Sequence, residues 1–139
     1  MFKNIIRRIK DEKGQAVVEL AITLPLLLLI LGGIIDFGWI ITNQNAIDRS
    51  ARDGARYAIV HTTGTDPVES IKTYTKALAP AGIQEKLTID VTFTDPDTPR
   101  SGDVIVAVSG NIAVLTPLAG IFVEGQEVNL SSLCRMKVE

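Results

Sequence analysis

The sequence predicts an α+β protein: a long N-terminal transmembrane helix that continues into a small head with a second helix and a 3–4-stranded antiparallel sheet. Three observations carry this expectation. Residues 16–35 are almost wholly apolar, interrupted only by Glu19, Thr23, Pro25, Gly32 and Gly33. Residues 42–60, TNQNAIDRSARDGARYAIV, keep helical spacing beyond that run, with Ala46, Ile47, Ala51, Ala55 and Ala58 available for one packing face. The last third of the chain alternates apolar and polar residues with the period of two that marks half-buried strands.

The first element begins with a basic leader. Lys3, Arg7, Arg8, Lys10 and Lys13 stand against Asp11 and Glu12. Apolar character then extends past residue 35 through Phe37, Trp39, Ile40 and Ile41, broken by Asp36 and Gly38. About 20 such residues at a rise of ~1.5 Å cross a hydrocarbon core of roughly 30 Å. The basic cluster predicts a cytoplasmic N-terminus and an external chain after residue 42, and Trp39 falls where an aromatic anchor is expected at the interface. One helix over residues 15–60 would be roughly 70 Å long, so its surplus would project as the spine of a head. Pro25 frees a backbone carbonyl one turn earlier and predicts a kink, which a neighbouring helix can accommodate in a membrane.

Three readings of this segment stand side by side. One is a secretory signal removed after the apolar core, although the run is long and no Ala-x-Ala site follows it. Another is an uncleaved signal anchor. The third is a prepilin-type signal, cut before the apolar helix. In that case Gly14 ends the leader, because the lack of a side chain lets a protease approach the backbone. Gln15 becomes the new N-terminus and Glu19 the fifth residue of the mature chain. A carboxylate within a membrane-length run is costly and therefore a functional candidate. Glu19 can pair with the α-amino group of an adjacent subunit, so that each charge satisfies the other.

The head follows in order. Asp48 and Arg52 have the favourable acid-first spacing for an i,i+4 pair and Arg56 continues the stripe; Asp48, Arg49, Arg52, Asp53 and Arg56 together read as a solvated face, with inter-subunit or lipid-headgroup contacts as the alternatives. Gly54 is the weak point in propensity. Residues 61–65 read as a loop. Asp66 caps a second helix with Pro67 at its first position and Glu69 at its third, ending near Ala79 ahead of Pro80 and Gly82. Residues 87–94 read as a half-buried strand, 95–102 as a turn, and 103–109 as a more central strand, with a possible resumption at 111–115. Residues 116–120 break it. In the last strand Val128, Leu130, Ser132, Cys134, Met136 and Val138 share one face.

Composition narrows the function. The 139-residue chain has room for one small domain and one spanning helix. Its net charge is −2, and loss of residues 1–14 would leave 9 basic and 14 acidic side chains, a balance of −5 with no footprint for nucleic acid. Cys134 is the sole cysteine, which excludes an internal disulfide framework and leaves an inert thiol or an intermolecular bond. His61 is the sole histidine, and zinc sites need several such ligands. No phosphate-binding loop or nucleophile elbow is present. Asp95, Asp97 and Asp103 flank a turn and read as solvated acids, with calcium as the sharper alternative. Asn129-Leu130-Ser131 matches a glycosylation acceptor by chance in a strand. The expectation is a protein that is no enzyme and carries no cofactor or metal.

The stretch KGQAVVELAITLPLLLLILGGIIDFGWIITNQNAIDRSARDGARYAIV, residues 13–60, resembles the TadE-like family of pilin-like proteins that serve tight-adherence (Flp-type) pilus assembly. The similarity lies in the glycine–glutamate spacing, the proline six residues after Glu19, the Ile35-Asp36-Phe37-Gly38 turn, and the small-residue ending Ala55-Arg56-Tyr57-Ala58. The closing LSSLCRMKVE is similar more loosely. The resemblance implies a minor pilin or pseudopilin with a pilin-like head. Its partners would be the membrane, a prepilin peptidase, other pilins and the assembly platform. Residues 1–14 would be the leader, 15–41 the membrane helix and 42–139 the external domain. The protein would sit as a single pass in the inner or cytoplasmic membrane and could enter a surface pilus. Major Flp pilins place an aromatic after the glutamate, where this chain has Leu20; with the size of the head, this argues against the major subunit.

Overall fold

The computed structural model describes residues 2–61, 66–95, 102–116 and 124–138, with backbone alone for 2–13. Its order is α1 (Phe2–Val60), α2 (Pro67–Leu78), β1 (Leu87–Phe93), β2 (Asp103–Ala113) and β3 (Glu127–Lys137). A long apolar helix, a second helix and a three-stranded antiparallel sheet make up the expected α+β fold.

At 59 residues, α1 is about 90 Å long. It starts at Phe2 rather than at Gln15, and it runs on through Pro25. Its contact face is narrow. Gly32, Asp36, Asn43, Ile47, Ser50, Ala51, Gly54, Ala55 and Ala58 are buried, at the three- and four-residue steps of one helical stripe. Small residues dominate its outer end, so the neighbouring elements approach the backbone closely.

α2 begins as its sequence dictates. The Asp66 carboxylate accepts from the Glu69 amide at 3.2 Å, and Pro67 occupies the first turn. At the other end the Gln84 side-chain amide donates to the Ala79 carbonyl at 2.6 Å, near the terminus of α2. Gly54 explains how closely α2 lies on α1. A Cβ there would overlap the Thr75 hydroxyl and sit 3.1 Å from the Thr75 Cβ. Thr75 is fully buried and its hydroxyl donates to the Ile71 carbonyl at 2.7 Å, so it has nowhere to turn. Propensity alone would make Gly54→Ala stabilising by about 1 kcal/mol. Overpacking costs about 1–3 kcal/mol and should win. The single variant is expected to lower the unfolding midpoint, measured by circular dichroism in detergent. Adding Thr75→Ala should recover part of the loss; a midpoint raised by Gly54→Ala alone would refute the close approach.

The sheet order is β1-β2-β3, with β2 in the centre. The register pairs Leu87 with Gly110 and Phe93 with Val104 on one side of β2, and Asp103 with Lys137 and Ala113 with Glu127 on the other. Val104, Val106, Val108 and Ile112 of β2 are buried with Leu87, Val91, Leu130 and Val138 against Ile47, Ala51, Ala55, Ala58 and Ile71 of the helices. β2 is one strand of 11 residues, where the sequence suggested a break near residue 110. Gly110 does not end the strand. It admits the backbone of the preceding crossing: a Cβ there would meet the Lys86 carbonyl oxygen at 2.7 Å.

The charged stripe on α1 is arranged differently from the expected ladder. The Asp48 carboxylate accepts from the Gln44 side-chain amide at 3.0 Å, and no Asp48–Arg52 ion pair forms among the described residues. Gln44 wins because the same amide also donates to the Ser131 carbonyl at 3.0 Å, which fixes it beside Asp48. Arg49, Arg52, Asp53 and Arg56 are exposed, as solvated residues should be.

Candidate functional site

The part of α1 ahead of the head has little packed against it. Among residues 14–35 only Gly32 is buried. Leu20 is 61% exposed and Ile22 70%, and Leu24, Leu26, Leu27, Leu28, Leu29, Ile30 and Leu31 are exposed as well. A water-soluble domain does not leave a surface of this size uncovered. Gly14–Val60 is the one helix among the described residues that is long and apolar enough to cross a membrane.

Gly14, Gln15 and Glu19 lie in this segment, and all three are exposed. Nothing lies within 4 Å of a Cβ built at Gly14. Glu19 is the one acidic residue on the exposed apolar surface between residues 14 and 35. Its backbone carbonyl accepts from the Thr23 hydroxyl at 2.8 Å, while its carboxylate has no hydrogen-bond or ion-pair partner among the described residues. Thr23 thus satisfies its own hydroxyl within the helix and does not engage the Glu19 carboxylate.

The second carboxylate of the apolar run behaves in the opposite way. Asp36 is only 4% exposed. Its Oδ1 accepts from the backbone amides of Leu115 at 2.9 Å and Thr116 at 2.8 Å, and its Oδ2 accepts from the Thr116 hydroxyl. One helix side chain therefore holds the chain that leaves β2. Three residues on, the Trp39 indole N–H donates to the Ala113 carbonyl at 3.2 Å. The head thus reaches α1 residues that the sequence assigned to the membrane segment. In the sequence Asp36 is an interruption of that segment and part of the family-like turn, and the rule that singles out Glu19 applies to it equally. Asn43 was also missed: it is buried, and its amide donates to the Trp39 carbonyl at 2.8 Å.

The other candidates find structural roles. Cys134 is half-buried on the core-facing side of β3, paired across the strands with Val106. His61 stacks on Tyr57 with ring centroids 3.8 Å apart, and Tyr57 stacks in turn on Tyr74 at 4.1 Å. Asp103 accepts from the Arg135 guanidinium Nε at 2.8 Å, and Asp97 lies outside the described residues, as do the loop at 62–65 and the break at 117–120. No group of three potential metal ligands occurs among the described residues. Asn129 donates to the Asn111 side-chain oxygen at 2.7 Å across the sheet.

The exposed apolar helix with its isolated carboxylate coincides with a family signature. Residues 14–56 match the TadE-like protein family. The match starts at Gly14 and ends at Arg56, inside the span 13–60 on which the resemblance was drawn. The TadE-like segment thus contains Gly14, Gln15, Glu19, Pro25 and Asp36, together with most of the face of α1 on which the head packs. α2 and the sheet lie beyond it. No curated protein and no solved structure matches the chain. The TadE-like match and the apolar helix together point to a membrane-associated protein.

Proposed function

We propose that the chain is a minor pilin or pseudopilin that takes part in assembly of a Flp-type (tight-adherence) pilus or related secretion system. Residues 1–14 serve as a leader removed by a prepilin peptidase, 15–41 as the membrane helix and 42–139 as the external pilin-like head. The protein is a single pass of the inner or cytoplasmic membrane with its N-terminus in the cytoplasm. Its work is assembly with other pilins and the assembly platform, not catalysis. The observation that carries this reading is the Glu19 carboxylate, without a partner among the described residues, five residues after an unobstructed glycine on an exposed apolar helix within the TadE-like match. A new α-amino group at Gln15 on one subunit is a fitting partner for Glu19 on its neighbour.

An uncleaved signal anchor carrying a binding domain is the competing reading, and one observation favours it: α1 is helical on both sides of Gly14. A protease needs the backbone at its cut extended, so maturation at Gly14 requires the first turns of α1 to unwind locally. The two readings separate on the intact mass and N-terminal residue of the membrane-extracted protein, with and without the host's prepilin peptidase. Chains beginning at Gln15 only when the peptidase is present are expected; Met1 retained in both cases would leave the anchor. Gly14→Leu meets nothing within 4 Å at its Cβ. That variant should therefore insert normally and remain uncut, and efficient processing of it would move the cut elsewhere.

A further inference from the structure

The segment of the head nearest the apolar helix is itself apolar, and it is tied to α1 at one level. Twenty-one residue steps separate Gln15 from Asp36, which is about 32 Å of helix against a hydrocarbon core of roughly 30 Å. If the helix spans from Gln15, Asp36 emerges where the core gives way to the headgroups. Leu115 is fixed at that same level, because its amide donates to Asp36 at 2.9 Å. Its side chain is nonetheless 58% exposed. On the same stretch of α1, Phe37 is 65% and Ile41 45% exposed, and Trp39 presents part of its ring while its N–H is spent on Ala113. Apart from Asp36, the polar stretch of α1 starts only at Thr42. Trp and other amphipathic rings favour this depth, and the three donors aimed at Asp36 satisfy the one carboxylate in the band.

We infer that the turn just after β2, at Leu115 and Thr116, is a second membrane contact of the head, resting in the headgroup–acyl boundary of the outer leaflet at the level of Trp39, with Asp36 as the positioning residue that holds it there. The occupant is lipid because Asp36 holds Leu115 at the level where the apolar run of α1 ends, and Ile34, Ile35, Phe37 and Ile41 carry the exposed apolar surface of α1 through that level. The inference rests on the proposed membrane span.

Its test uses the full chain in phosphatidylcholine vesicles. Trp39 is the only tryptophan, so quenching by brominated acyl chains reports the depth of α1 directly. A nitroxide at Leu115→Cys in a Cys134→Ser background reports the head, and one at Leu133→Cys, on the outer face of the sheet and 67% exposed, serves as the water-facing reference. Expected are strong Trp39 quenching by bromines near the headgroup end, and a nitroxide at 115 that is at least several-fold less accessible than that at 133 to a water-soluble nickel complex. Asp36→Ala should raise the accessibility at 115 toward the value at 133 and leave Trp39 quenching unchanged. If Trp39 is quenched while 115 is as accessible as 133, the second contact is refuted and the span stands. If Trp39 is not quenched, the span fails and the inference with it. A site at 115 that stays shielded in Asp36→Ala would remove the role assigned to Asp36.

Discussion

A chain carrying Glu19→Val is expected to be cut after Gly14 as efficiently as the parent and then to be nearly absent from fibres. The two parts of this outcome have separate physical grounds. The side chain is exposed and its carboxylate has no partner among the described residues, so nothing in the fold depends on it. Valine also suits the surrounding apolar helix, and membrane insertion should persist. In an assembled fibre, however, the α-amino group of the neighbouring subunit would be left without its counter-charge in an apolar setting. Removing one partner of a buried pair costs about 3–5 kcal/mol, which corresponds to a loss of incorporation on the order of a hundredfold or more. Immunoblots of sheared fibres against whole-cell protein read this directly. Parental amounts in the fibre fraction would remove Glu19 from subunit pairing.

The second large effect is expected at Asp36. Truncation to alanine orphans two backbone amides and a hydroxyl at once. Hydrogen bonds to a charged group are worth about 1.5–3 kcal/mol each, and unsatisfied buried donors add to the loss; water reaching the freed amides will offset part of it. We expect about 2–4 kcal/mol, felt first where β2 ends. Amide exchange at Leu115 and Thr116 in the detergent-solubilised protein should speed up by roughly 30- to 1,000-fold, with amides in the middle of β2 much less affected. Asp36→Asn keeps an oxygen for the two amides and should be milder. Unchanged exchange at both positions in the alanine variant would contradict the clamp.

Much of the head could be read from local chemistry. The Asp66–Glu69 cap and Pro67 placed the start of α2, and Pro80 and Gly82 its end to within a residue, because such signals are decided within one turn. Alternation assigned the core face of β3 correctly from Val128 to Val138 for the same reason: a strand's faces depend on parity alone. What failed depended on residues distant in sequence. Gly110 looked like a strand break until the Lys86 carbonyl explained it. Gly54 looked like a defect in α1 until Thr75 lay against it. The Asp48–Arg52 pair was undone by Gln44, which is held by β3. Of the candidate site, the exposure of Gly14, Gln15 and Glu19 was legible because they lie on an apolar run with no packing partner of its own. Asp36 was not, since its three donors come from residues 79 and 80 positions away.

The order β1-β2-β3 has a consequence for how the protein comes together. Each strand pairs only with its neighbour in sequence, so the sheet can assemble through local closures that are fast. Its seam with α1 is another matter: Gln44 and Ser131, which join them, are 87 residues apart. Closing that seam therefore costs more chain entropy than closing the sheet's own turns. A nascent α1 can be delivered to a bilayer with its outer end still bare, and its docking face waits there for the finished meander. A defect in the seam should then leave an inserted chain with an open head.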